Sequence, residues 1–409
     1  MKSLRLIAAM ACFVAATAGA TTFQPLSDRQ LIEHADAIVV GTVRGASTHV
    51  AKNGYVMTDY DVSVADVLKG LVGQDIVVRE WGGAAAGRFT FIEDSATYTP
   101  GERVFAFLRR SSDGTWFTAS MAVGKFTYSQ DNSGAETLVR HVSEMRNDPP
   151  RDAVAFKSYV RDVVSGHEPD ATYFASPSVS AAFKPTIFTT ASQYCILATD
   201  QNQVTLPIRI PGGESGAGIQ FHPHGTQANV PTSATLMANG AAAWTGDTSA
   251  GVVLSVGSAD TTHPTFGLDG ASVIYLDSTD SAPPSLCDST FACAIGGCGG
   301  SCGDHSFHSE TFHSISECDI LMRPTLSTNQ FAVLITHEMG HAIGLRHSDQ
   351  GTPFSGTAIM TSSTNVAFGS TLQPYDRDAV ETVYGNGPPC QPAGISSQSQ
   401  SQNVNSGQQ

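Results

Sequence analysis

Asn329–His347 reads NQFAVLITHEMGHAIGLRH, and the chemistry of the whole chain turns on it. Phe331, Leu334, Ile335 and Ala342 fall on one side of a helix of about four turns. Ser327, with Gln330 three residues on, supplies a capping box at its start. On such a helix His337 and His341 project from one face, with Glu338 beside them. Gly344 stands where the helix has to stop, and a residue free to take positive φ lets the chain swing His347 round. Three imidazoles leave a fourth position for water, which is the pattern of a catalytic rather than a closed structural zinc. The spacing therefore predicts a zinc held by His337, His341 and His347, with Glu338 as general base.

The extended pattern His337-Glu338-x-x-His341-x-x-Gly344-x-x-His347, followed by Met360 in Ala358-Ile359-Met360, resembles the metzincin clan of zinc peptidases. The resemblance implies that Met360 forms a methionine turn, an apolar floor under the metal. Ser348, next to the third histidine, resembles the matrixins. The closing stretch Pro374–Gly385 (PYDRDAVETVYG) is similar to their last helix: Tyr375, Ala379, Val380, Val383 and Tyr384 follow helical spacing, with Asp376 and Asp378 in the first turn. What the resemblance implies is a twisted mixed sheet over the active-site helix, catalytic Zn2+, structural Ca2+, and protein or peptide substrates lying extended along a sheet edge. The chain departs from the pattern at Thr361-Ser362, where matrixins carry Tyr-Pro and other metzincins offer a tyrosine ligand. A competing reading is a non-catalytic zinc-binding adhesion or binding protein on the same fold. Glu338 discriminates, because such degenerate members commonly lose the base.

Met1–Ala20 reads as a signal peptide: Lys2 and Arg5, an apolar run Leu6–Ala16, then Ala18-Gly19-Ala20 as cleavage site. A secreted, extracellular protein is expected, with no later run long enough to span a membrane. The chain has 409 residues and a net charge of −15. That length suggests two domains, and the acidity argues against nucleic acid as a partner.

Residues 21–164 read as an N-terminal β-rich domain. Ala37–Val43, Thr58–Leu68, Ile76–Trp81 and Val104–Leu108 are strand-like runs. His34–Val40, Tyr60-Asp61-Val62 and Val67–Gly70 are similar to the OB-fold module of tissue inhibitors of metalloproteinases, though without their N-terminal cysteine. A prodomain, a self-inhibiting regulator or a substrate-binding module are the roles open to it. Helical patterns cover Thr137–Arg146 and Ala153–Val164. Residues 165–203, rich in Ser, Ala, Pro and Thr, read as a linker or a cleavable activation segment. The peptidase-like domain spans 204–387, with strands at Val204–Ile210, Ser272–Leu276 and Cys318–Met322 and a helix at Thr235–Trp244. The fold class expected is α+β, a metzincin-type domain preceded by an OB-like barrel. Residues 388–409 read as a disordered tail.

Seven cysteines remain after Cys12 leaves with the signal. Disulfides are the expected use of Cys287, Cys293, Cys298, Cys302 and Cys318 in an exported chain. A second metal site at His305, His308 and His313 is the alternative for that stretch. Cys195 either pairs with Cys390 or stays free; in the free case the matrixin resemblance implies a zinc-bound latch, although Tyr194 and Ile196 depart from that family's pattern. His222 and His224 read as loop residues.

Overall fold

Ala37, Val39, Val43, Val104, Ala106 and Leu108 are buried on one side of their strands, and Ile38, Val40, Phe105 and Phe107 on the other. Period-two alternation with both sets apolar demands a core on each face, and the chain provides both. The computed structural model describes residues 19–21, 26–92, 94–111, 113–131, 133–140, 142, 148–175, 194–199, 205–276, 294–307, 310–349 and 357–385. The signal segment up to residue 18, Cys287, Cys293, His308, Cys390 and the tail 388–409 lie outside them.

The first half runs β1 (Gly19–Thr21), α1 (Asp28–His34), β2 (Ala37–Val50), β3 (Val56–Lys69), β4 (Asp75–Trp81), the hairpin β5 (Gly83–Ala85) and β6 (Arg88–Ile92), β7 (Arg103–Arg110), β8 (Trp116–Thr118), β9 (Lys125–Gln130), β10 (Glu136–Val139), β11 (Arg151–Asp152) and α2 (Ala153–Ser165). Strands pair in the order β7-β2-β3-β4-β8, and β8 returns to β7, so five strands close a barrel. The closing pair β4 and β8 is parallel. Phe156 and Tyr159 of α2 pack on Phe105, Phe107 and Phe126 outside the barrel. Tyr173 stacks on the same group and donates its hydroxyl to buried Asp28 at 3.1 Å.

The helix expected over Thr137–Arg146 does not form at its start. Glu136–Val139 is β10, paired with β9 across a turn in which Asp131 Oδ1 accepts from the amides of Ser133 and Ala135. A carboxylate-closed turn and the β-branched Thr137 and Val139 favour a hairpin over a helix.

The second half runs β12 (Leu197–Thr199), β13 (Thr205–Arg209), β14 (Gly218–His224), α3 (Ser233–Thr245), β15 (Val253–Val256), β16 (Ser272–Tyr275), β17 (Ala294–Phe307), β18 (Glu310–Met322), α4 (Thr328–Ala342), β19 (Ser363–Asn365) and α5 (Pro374–Tyr384). Its sheet has the order β15-β14-β16-β18-β17, parallel except for β17. The ladder then continues into β6 and β5 of the first half. His222 and His224 stand in β14 rather than in a loop, and the His222 ring meets Ser258 O at 2.9 Å. On one sheet face Ile274, Ile320, Met322 and Cys298 pack against α3, α4 and α5. On the other, Val273, Tyr275, Ile295 and Leu321 share a core with Tyr55, Trp81 and Ile92 of the first half. Both faces of this sheet are thus buried, one by helices and one by the barrel. No helix among the described residues is long and apolar enough to cross a membrane.

Candidate metal centre

Helix α4 begins as its sequence dictates: Ser327 Oγ accepts from the Gln330 amide, and Gln330 Oε1 accepts from the Ser327 amide at 3.0 Å. Its flank against α3 is set by Trp244, whose indole N–H donates to Thr336 O at 2.8 Å. At its end Gly344 takes φ +85°, and its amide donates to His341 O. A Cβ at Gly344 would lie 2.4 Å from Ile208 O. The chain can therefore turn there only without a side chain. Tyr194 to Ile196 lies alongside this turn, with Ile196 N–H donating to Gly344 O and Arg346 N–H to Tyr194 O.

The turn brings the three imidazoles together. His337 Nε2 lies 2.9 Å from His341 Nε2 and 3.1 Å from His347 Nε2, and the last two are 3.2 Å apart. Nδ1 of His337 donates to Ile359 O and Nδ1 of His341 to Leu345 O, both at 2.7 Å. These carbonyls hold the ring protons on Nδ1 and leave the Nε2 lone pairs facing inward. Burial pushes His337 down to about 4 and His341 well below the usual imidazole range, so both rings are neutral. Converging lone pairs with no proton between them fit a cation. A tetrahedral zinc about 2.0–2.1 Å from each nitrogen would space them ~3.3–3.4 Å apart. Among the described residues this is the one group of three or more side chains able to hold a metal ion. The calcium that the resemblance implies finds no cluster there.

Glu338 follows His337 on α4 and is buried with the three histidines. It faces β17: a Cβ at Gly296 would lie 3.2 Å from Glu338 Oε2. Ala294, Gly296 and Cys298 alternate on the side of the sheet that meets the helix, so the glycine stands where a larger residue would press on the carboxylate. Met360 is buried under the site, and a Cβ at Gly340 would lie 2.3 Å from its sulfur. The small residue between the two helical histidines is what lets the thioether approach.

Asp376 is the residue whose part was not legible in the sequence. Its first-turn position in α5 accounts for a dipole interaction, but its carboxylate also accepts from the amides of Ile359 at 2.8 Å, Met360 at 3.0 Å and Gln373 at 2.8 Å. Burial raises it to about 6, against the pull of those three amides. It thereby fixes the turn whose Ile359 carbonyl orients His337. Ser362 is held by Asp349: its amide and hydroxyl donate to that carboxylate at 3.1 and 2.5 Å.

Cys298 and Cys318 form a disulfide between directly opposed residues of β17 and β18. Cys195 is a free, buried thiol bridged through its backbone to Leu345. Burial pushes it up to about 12, far from the thiolate that a zinc-bound latch requires. The second metal site does not assemble among the described residues. His305 Nε2 lies 3.0 Å from the Arg209 guanidinium, a cation, and His313 stacks on Phe89 while Nδ1 accepts from the Gly303 amide.

Three imidazoles and a glutamate on one helix and its terminal turn, beneath a mixed sheet, define a centre of metallopeptidase type. Residues 271–371, about a quarter of the chain, match the model of the family Peptidase_M57, described as dual-action HEIGH metallo-peptidase. In one-letter code, HEIGH differs from His337–His341 (HEMGH) at Met339 alone. The match spans β16 to β19 and includes the three histidines, Glu338 and Met360. No curated protein matches the chain.

Proposed function

We propose that the chain is a secreted zinc endopeptidase of metzincin type, matrixin-like in its catalytic half, which hydrolyses peptide bonds of proteins. The observation that carries this is the convergence of three Nε2 atoms at 2.9–3.2 Å with Glu338 on the same helix. The order strand, helix, strands, active-site helix supports the matrixin-like reading. The five-stranded closure with its one parallel pair supports an OB-like barrel in the first half. Export rests on the character of Met1–Ala20.

His337, His341 and His347 would hold the zinc, oriented by the carbonyls of Ile359 and Leu345. When bound, zinc lowers the pKa of a water and polarises the scissile carbonyl. Glu338 takes the proton of the attacking water and delivers it to the leaving amine. Its burial beside Gly296 strengthens that exchange by keeping bulk water away from the carboxylate. Gly340 and Met360 close the site from below, and Asp376 keeps their turn in register.

The test is cleavage of a denatured protein by the purified chain, with metal analysis. The intact protein is expected to carry about one zinc and to cut. Glu338→Ala is expected to keep the zinc and lose about 10²–10⁴-fold of the rate. Zinc binding without cleavage in the intact protein would favour the binding-protein alternative instead.

A further inference from the structure

Strand β19 joins neither the barrel nor the large sheet of the second half. Among the described residues its one ladder partner is β1, which runs antiparallel to it in the register Gly19↔Asn365, Ala20↔Thr364, Thr21↔Ser363. β1 also lies against α4, the helix that carries His337, Glu338 and His341. The earliest described residues of the chain thus form an extended strand on the helix of the metal centre, beside the segment that leaves Met360.

The position of β19 does not depend on β1. Ahead of it, the Ser348 amide donates to Met360 O at 2.6 Å and Ser362 donates to the Asp349 carboxylate, so the residues directly after His347 brace the approach to the strand. Behind it, Asn365 Oδ1 accepts from the Ala367 amide at 2.9 Å, and Ser370 Oγ meets Thr336 Oγ1 of α4 at 3.0 Å. A strand pinned at both ends keeps its backbone groups aligned whatever pairs with them. Such an edge is a template for another extended chain. Asn365 is exposed, so solvent reaches the strand at that end.

We propose that the edge of β19 is a strand-docking site beside the metal centre, filled in the unprocessed chain by its own residues 19–21 and vacated when signal removal takes Gly19 and Ala20. This rests on the peptidase reading of the site and on Met1–Ala20 as a signal peptide. A cut after Ala20 leaves Thr21 alone of the three paired residues, and a single residue cannot sustain a ladder. A three-residue ladder is weak between separate molecules. Here the occupant is tethered to the folded chain, which raises its effective concentration at the edge. Lying on α4 and against the segment after Met360, it shuts the approach to Glu338 from that side. The signal junction therefore plugs the centre it precedes, and processing frees the edge for other extended chains.

The experiment compares two zinc-loaded proteins, the 409-residue chain with its signal retained and the chain from Thr21 onward. Amide hydrogen exchange within Ser363–Asn365 is expected to be about tenfold or more slower in the longer chain, as one added backbone hydrogen bond implies. Equal exchange within α4 is the control for folding. On a denatured protein, kcat/KM is expected to be lower in the longer chain by about tenfold or more. Ladder bonds alternate along an antiparallel pair, so either Ala20 or its two neighbours donate. Of Gly19→Pro and Ala20→Pro in the longer chain, one is therefore expected to speed exchange at β19, which keeps the test independent of whether the shorter chain folds. Equal exchange in the two chains, or no effect of either proline, would overturn the docking. Slower exchange with equal kcat/KM would overturn the plug. If zinc is bound and neither chain cuts, the peptidase reading fails, while the exchange rates still decide whether residues 19–21 dock.

Discussion

Asp376 connects a buried carboxylate to one of the three clustered imidazoles, His337, through the backbone of Ile359 alone. Replacing it by alanine leaves the amides of Ile359, Met360 and Gln373 without their acceptor, a loss on the order of 2–4 kcal/mol for a buried network. Asp376→Ala is expected to lower the denaturation midpoint and also to release zinc to a competing chelator more readily, because Ile359 O orients His337. A variant equally unstable but with unchanged zinc affinity would show that the turn does not tune the ligand. Glu80 is a buried carboxylate of a different kind, far from the site in the barrel half. It accepts from the amide and hydroxyl of Thr118 at 2.8 and 2.5 Å, yet burial raises it to about 8. The folded protein therefore holds a proton there that the unfolded chain releases above about pH 4.5. Stability from this group is fully present below that pH and is lost as pH rises toward 8. Glu80→Gln is expected to remove a dependence on the order of 5 kcal/mol across that window. Parallel pH curves for the two proteins, measured by chemical denaturation, would contradict the assignment.

Among the elements, α4 and its terminal turn were the most legible. Capping pair, apolar face, histidine spacing and Gly344 all act within one short stretch, so local rules suffice to place three imidazoles and a carboxylate. Gly344→Ala puts a side chain at φ +85° and 2.4 Å from Ile208 O, which is expected to cost more than about 2 kcal/mol and to displace His347. Zinc stoichiometry well below that of the parent would show this. A variant that keeps full stoichiometry would mean the turn can re-form without glycine. Several strands, such as Ala37–Val43, Val104–Leu108, Ser272–Leu276 and Cys318–Met322, were legible from their apolar or alternating runs, whereas β14, β15 and β17 were not. What was not legible depends on partners distant in sequence. Residues 137–139 have helical spacing and β-branched residues together, and only the neighbouring strand decides between them. The carbonyls of Ile359 and Leu345 carry no side-chain signal at all. The glycines of Ile295–Gly300 read as disulfide-loop composition, and their purpose appears only when Glu338, Ile92 and Phe266 are seen against them.

At the scale of the molecule, the two halves share a sheet and a core. Val273, Tyr275, Ile295 and Leu321 would lose their cover without Tyr55, Trp81 and Ile92. A chain beginning at Tyr194 is therefore expected to bind hydrophobic dyes and to unfold without a cooperative transition. Cooperative unfolding of that fragment with about one zinc bound would show that the barrel is dispensable. Such interlocking also orders events in time. Tyr55 meets Gly297 across 242 residues of chain, and at about 5–20 residues added per second the ribosome needs on the order of ten seconds or more between them. During that interval the hairpin of the first half waits with an unsatisfied edge, and the histidines do not yet exist. The three clustered histidines are among the last parts to be synthesised, and the sheet above them cannot be covered on its far face until strands made long before have folded.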